Sequence, residues 1–102
     1  MFGGFISQNI NLKGDFFGTG ESFLFALGKA NEFTVYKATN KNNFFCIADQ
    51  TGIGMGSGDF YGLFIEENLK KGSTHPCRTY DNDLLDGKTH FAIKKLEIWG
   101  FQ

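Results

Sequence analysis

Proline is nearly absent from this 102-residue chain, with Pro76 the only one, and tryptophan likewise occurs once, at Trp99. No apolar stretch approaches the ~20 residues that a membrane-spanning helix needs, which argues against a transmembrane segment. The ten Lys and Arg residues are scattered, and the net charge is −1. The basic stripe that phosphate-backbone binding requires is therefore missing, and nucleic acid is not an expected partner. The two cysteines, Cys46 and Cys77, and the two histidines form no C-x-x-C or H-x-x-x-H pair, which disfavours a zinc site. Neither glycine-rich stretch carries the Gly-Lys-Ser/Thr ending of a phosphate loop, nor stands between a strand and a helix, so no nucleotide cofactor is expected. Met1 leads into Phe2-Gly3-Gly4 with no basic leader. Without a secretory context the cysteines read as free thiols of a reducing compartment, and the expected location is the cytosol.

Phenylalanine is what the chain has in excess, thirteen against three Tyr. Burying each contributes roughly 1.5–3 kcal/mol, so a Phe-built core could offset the chain entropy of one domain of this length. The pattern is that of antiparallel strands. Residues 2–7 read as a short strand, and the nearly continuous apolar run 22–27 as a strand buried on both faces. Residues 33–38 alternate Phe33 and Val35 against Thr34 and Tyr36, and 39–43 form a polar connection to a returning strand at 44–48. Residues 60–65 and 69–73 are further strand candidates. The terminal stretch 91–101 reads as the last strand, with a bulge near Lys94-Lys95 where its apolar phase slips. No amphipathic helix is evident.

The stretch 52–80 dominates the sequence. It opens with Gly52, Gly54, Gly56 and Gly58 at alternate positions, which suits neither a helix nor an ordinary strand, because each glycine costs backbone entropy. Close backbone packing is the favoured reading. Ser73, His75 and Cys77 alternate as a nucleophile and base might, yet Pro76 interrupts them and no signature activates either nucleophile. A polar turn with a buried Cys77 is expected instead. Glu21 lies between the Gly18-Thr19-Gly20 turn and the run 22–27, where its carboxylate could accept hydrogen bonds from turn amides. Glu66 and Glu67 read as a solvated turn. No enzymatic site emerges, although a reactive thiol at Cys46 or Cys77 is the competing reading.

Taken in order, Phe17-Gly18-Thr19-Gly20-Glu21-Ser22-Phe23-Leu24-Phe25, the glycine ladder leading into Phe60–Ile65, Gly72-Ser73-Thr74-His75-Pro76-Cys77 with Thr79, and Leu96-Glu97-Ile98-Trp99-Gly100-Phe101 resemble the TLDc domain. The match runs along nearly the whole chain. It departs from the family in lacking the N-terminal part with its helices and first strands, and in carrying Gln50-Thr51-Gly52-Ile53 ahead of the glycine ladder. The resemblance implies a two-sheet antiparallel β-sandwich over residues 1–102, truncated at its N-terminus. An uncovered apolar edge of such a sheet would invite pairing with other chains.

The resemblance further implies a non-catalytic interaction module linked to oxidative-stress protection, with the cytosolic V-type proton ATPase as partner. The alternatives are a thiol-dependent redox enzyme or a partial product without independent function. Gly18, Gly20, Glu21, Gly54, Gly56, Gly58, Gly72, Ser73, Cys77 and Trp99 are the residues expected to hold the motifs in shape. Glu66, Glu67, Lys70 and Lys71, flanking the apolar run, are the expected partner surface. A charged rim of this kind steers encounter and fixes register.

Overall fold

The computed structural model describes residues 1–10, 12–28 and 32–97, and among them every regular element is a strand. Two antiparallel sheets form a β-sandwich. The first contains β1 (Phe2–Phe5), β2 (Phe23–Leu27) and β3 (Phe33–Lys37) in the order β1-β2-β3. The second contains β4 (Cys46–Asp49), β5 (Gly52–Met55), β6 (Leu63–Glu66), β7 (Lys71–Ser73) and β8 (His90–Ala92), in chain order.

Alternation decides which side chains meet between the sheets. On β2, Leu24 points inward and is fully buried, while Phe23, Phe25 and Leu27 share the other face and are half-buried. The expectation that this run is covered on both sides is corrected: among the described residues only one face of the three-stranded sheet has a layer against it. The outer rings cover one another instead, Phe5 stacking on Phe23 at 5.2 Å and Phe25 on Phe33 at 5.7 Å. In the second sheet, Cys46 and Ala48 pair across from Met55 and Ile53, and these in turn from Leu63 and Ile65. Directly opposite residues lie on one face, so this set forms the inner surface. Phe17, Phe45, Cys77, Tyr80 and Leu85 close the core around it.

Leu24 joins the two layers. Its methyl groups lie where a side chain at Gly62 or Gly4 would have to stand, 2.8 and 3.2 Å from the built Cβ positions. Met55 fills the rest of the space above Gly4. A T-shaped contact of 4.8 Å between Phe2 and Phe91 links the sheets further along.

The glycine ladder meets its expectation of close backbone packing at Gly52, where a side chain would run into the Ile65 carbonyl, and differs from it in forming an ordinary strand. Gly52–Met55 is a regular strand inside the five-stranded sheet. Its glycines lie on the outer face, where the Tyr61 ring crosses Gly54 and the Phe64 ring crosses Gly52. These two rings stack at 5.3 Å and stand in for the missing side chains, so the strand retains apolar cover.

Several boundaries also move. β1 stops at Phe5, and β4 starts at Cys46, where the Phe45 carbonyl is shared by the Tyr80 hydroxyl and the Gly56 amide. β6 begins at Leu63 because the Phe60 ring is drawn away to stack on His75 at 4.5 Å. The last strand ends at Ala92, without the expected bulge at Lys94-Lys95: β7 offers only three partners, and the Ile93 amide bonds to the Lys70 carbonyl at 2.7 Å. The expected continuation through Trp99 lies outside the described residues.

Because Leu24 bridges the layers, Leu24→Ala should cost about 2–5 kcal/mol through lost burial and an unfilled cavity. Urea denaturation measures this; a loss within about 0.5 kcal/mol, the range of an ordinary surface change, would show that the sheets are held together elsewhere.

Candidate functional site

The Gly18-Thr19-Gly20 turn is tied down by hydroxyls. Ser7 Oγ accepts from the Thr19 amide at 3.0 Å and from Thr19 Oγ1 at 2.9 Å, and lies 3.1 Å from the buried Ser22 Oγ. Gly18 turns with φ 99°, in the left-handed region, and packs against Cys46 and Phe45. Glu21 takes part through its backbone, its amide donating to Thr19 Oγ1 at 3.2 Å. The expected role for its carboxylate is corrected: the side chain is exposed, and among the described residues no hydrogen bond reaches it. Gly20 is exposed beside Asn40 and Phe45. Sequence reasoning overlooked Ser7, which looked like one more polar residue at a strand end.

The segment 77–82 is a clasp between loops. Thr79 Oγ1 donates to Asn42 Oδ1 at 2.6 Å and accepts from the Ser57 amide at 2.9 Å, while the Thr79 carbonyl accepts from the Thr39 amide at 2.9 Å. Tyr80 is almost wholly buried and its hydroxyl donates to the Phe45 carbonyl at 3.0 Å. Asn82 Oδ1 accepts from the Cys77 thiol at 3.1 Å and from its amide at 3.3 Å, and its Nδ2 donates to the His75 carbonyl at 3.0 Å. Such closure needs bare backbone beneath it. Gly56, at φ 78°, sits under Cys77 and Tyr80, and Gly58 sits under the Arg78 side chain. Gly72 lies in β7 beneath the Phe91 ring and close to the Phe64 carbonyl.

No catalytic arrangement joins Ser73, His75 and Cys77. Ser73 is half-buried at the end of β7, His75 stacks on Phe60, and Cys77 is occupied by Asn82. Cys46 and Cys77 are both free and buried, as expected. Burial pushes the Cys46 thiol from its ordinary 9.0 up to about 11, against the hydrogen bond to Ser22. Burial also raises Cys77, and it raises Tyr80 together with the neighbouring thiols. These groups therefore stay protonated, the form least suited to nucleophilic attack. Among the described residues no cluster of three or more His, Cys, Asp or Glu side chains could hold a metal ion. No helix among them is long and apolar enough to cross a membrane.

The expected partner residues do gather. Glu66, Glu67, Lys70 and Lys71 sit on the β6–β7 hairpin, which is pinned by the Glu67 amide to the Thr51 carbonyl at 3.0 Å and the Leu69 amide to the Glu66 carbonyl at 2.9 Å. Asn68 Oδ1 accepts from the Lys70 amide at 2.9 Å, the Asx turn that its residue type favours. At the tip is Leu69, with φ 61° and 47% exposure. A bulky residue in left-handed backbone is a true outlier, and such strain concentrates at functional positions. Beside the hairpin an open recess of about 400 Å³ is lined by Glu66, Lys71, Lys88, His90 and Phe91 among others. The one sequence signal for Leu69 was an isolated apolar residue in a charged turn.

With this geometry described, comparison with known proteins is informative. The family model of the TLDc domain matches residues 1–102. The chain belongs to the TLDc domain family. It is 36% identical to oxidation resistance protein 1 of Bos taurus over 103 residues, which covers 100% of this chain and 12% of that protein. The human protein of the same name is 35% identical over the same shares. Nuclear receptor coactivator 7 of Gallus gallus is 31% identical, again over 100% of this chain and 11% of that protein. This TLDc chain thus spans about an eighth of the length of these relatives.

Replacing Thr79 by Val keeps the shape but leaves the Ser57 amide without its acceptor and removes one of the two donors to Asn42 Oδ1, so it should cost about 1–3 kcal/mol. Glu21→Ala should stay within about 0.5 kcal/mol. Thermal melts of the two variants, run side by side, would show the reverse order if the turn carboxylate mattered more than the clasp.

The Cys46 thiol predicts a pH dependence. Its pKa is raised in the folded state, so the unfolded chain loses the proton first. Its contribution to stability is full below pH 9.0 and is lost as pH rises toward about 11. Urea midpoints across that window should fall in the native protein and fall less in Cys46→Ala. An equal fall in both would remove Cys46 as the cause.

Proposed function

We propose that this TLDc chain is a non-catalytic, cytosolic interaction domain in oxidative-stress protection, which acts by binding and regulating the V-type proton ATPase. The observation that carries the reading is the β6–β7 hairpin. It presents Leu69, apolar and held in left-handed backbone, between the acidic pair Glu66 and Glu67 and the basic pair Lys70 and Lys71. An exposed apolar anchor inside a charged rim is the anatomy of a protein-docking site. The hydroxyls and thiols of the motif residues are engaged within the fold, which speaks for association rather than chemistry. The likeness to oxidation resistance protein 1 supports the stress-related setting.

The test is capture of cytosolic V-type ATPase subunits by the immobilised chain. Leu69→Gly removes the anchor while relieving the backbone strain, so capture should fall about tenfold, the equivalent of 1.4 kcal/mol, with no loss of melting temperature. Charge reversal at Glu66 and Glu67 should slow association and leave the melt intact. Thiol-dependent peroxide turnover by a folded protein that captures no ATPase subunit would replace this reading with the enzymatic one.

A further inference from the structure

The two sheets have four edges, and they are guarded unequally. The β4 edge is covered by residues 14–17, whose amides at Gly14 and Phe17 bond the Ala48 and Cys46 carbonyls at 3.1 and 2.7 Å. β8 has only three residues and is flanked by Lys88, Lys94 and Lys95. β1 carries Gly3-Gly4 in its middle, and its Phe2 packs against Phe91 of the other sheet. β3 is the least guarded of the four. Its five residues, Phe33-Thr34-Val35-Tyr36-Lys37, include no Gly and no Pro, and the only charge stands at one end. Among the described residues the β3 backbone is bonded to β2 alone. Phe33 and Val35 are 59% and 40% exposed. A flat, apolar, open edge of this kind is a template for another strand.

Backbone geometry restricts which strand fits. In an antiparallel ladder, directly opposite residues are either both hydrogen-bonded or both not. Along β3 the outward-facing groups belong to alternate residues. A second β3 can therefore pair only with the two residue numbers summing to an even value, and centring on Val35 alone overlaps all five residues. The two-fold axis then stands perpendicular to the sheet and brings like faces to the same side. Phe33 falls opposite Lys37 of the second copy, Thr34 opposite Tyr36, and Val35 opposite itself. A lysine beside an aromatic ring is a favourable cross-strand neighbour, and no two like charges meet. The stacked pairs Phe5–Phe23 and Phe25–Phe33 of both copies then lie on one face of the joined sheet.

We propose that a second copy of this chain docks on the β3 edge, antiparallel and centred on Val35, to form a two-fold dimer with one six-stranded sheet. This surface is separate from the β6–β7 hairpin and does not rest on the partner proposed for it.

Sedimentation velocity of the full chain over a wide concentration range tests the proposal. Expected is a reversible monomer–dimer equilibrium whose dissociation constant rises at least about tenfold in Val35→Lys, since like charges juxtaposed across an interface are strongly unfavourable. Val35→Cys supplies a second measurement that does not depend on how Val35→Lys folds. Opposite residues in such a ladder stand about 4.5–5.5 Å apart at Cα, within disulfide reach. Mild oxidation should therefore give a covalent dimer in Val35→Cys and none in Thr51→Cys, whose exposed site is on the other sheet's β4–β5 turn. A chain that stays monomeric at every concentration, a dimer undiminished by Val35→Lys, or a Val35→Cys chain that fails to cross-link would each overturn the proposal.

Discussion

The seat of Leu24 between Gly4, Gly62 and Met55 is the contact on which the rest of the structure depends. A three-stranded sheet with one apolar side chain fully buried has little hold on its neighbour unless that side chain reaches deep into it. Leu24 does so because Gly62, just ahead of β6 in the facing layer, carries no side chain, while Gly4, its neighbour on β1, leaves room for Met55 of the other sheet to reach in. Once the layers are that close, Cys77 and Asn82 also lie against Gly62, and the 77–82 segment is drawn over the end of the sandwich. Packing thus sets the place where the polar clasp can form.

The clasp repeats the same principle with hydrogen bonds. Thr79, Tyr80 and Asn82 are buried; Thr79 and Tyr80 satisfy their hydroxyls on loops distant in sequence, and Asn82 ties its own segment back to His75 and Cys77. Among the described residues no buried side-chain nitrogen or oxygen lacks a partner. In a small domain such a network selects one arrangement of the loops, because any rearrangement would leave a desolvated group unpaired. The same burial keeps the two thiols protonated. Structural demand and the protonation of the thiols have one cause here.

What the core does not use is left at the surface in two places of different character. The β6–β7 hairpin is a strained, charge-rimmed tip fixed by an Asx turn. The outer face of the three-stranded sheet is broad and aromatic, and its β3 edge is open. The first suits recognition of a separate protein, while the second suits a strand that matches its own sequence in reverse. Both follow from strands being one-sided: each sheet turns one face to the core and leaves the other to whatever the chain can arrange.

Much of the fold was legible in the amino-acid order. Period-two alternation in residues 33–38, the turn residues at 39–43 and the run 22–27 identified β2, β3 and their neighbours, since strand patterning is local. The TLDc motifs were legible for the same reason, being short and ordered along the chain. The ladder Gly52–Gly58 was not, because its meaning depends on the rings of Tyr61 and Phe64 that cross it, and nothing local reports where a ring will lie. Glu21 misled for a related reason: a carboxylate beside a glycine turn looks like the group that ties it, yet the hydroxyl of Ser7 arrives from the segment after β1 and does so. Likewise, Glu66, Glu67, Lys70 and Lys71 could be chosen from their sequence, but Leu69 could not. Its exposure and left-handed backbone arise only when β6 and β7 pair and the hairpin must turn within Glu67–Lys70. Sequence alone determined most of the strand segments, the glycine strand β5 excepted, and which residues are apolar, because those are properties of neighbours along the chain. Tertiary structure decided which face is covered, which hydroxyl closes which loop and which edge stays open, because those depend on contacts between residues that the chain keeps far apart.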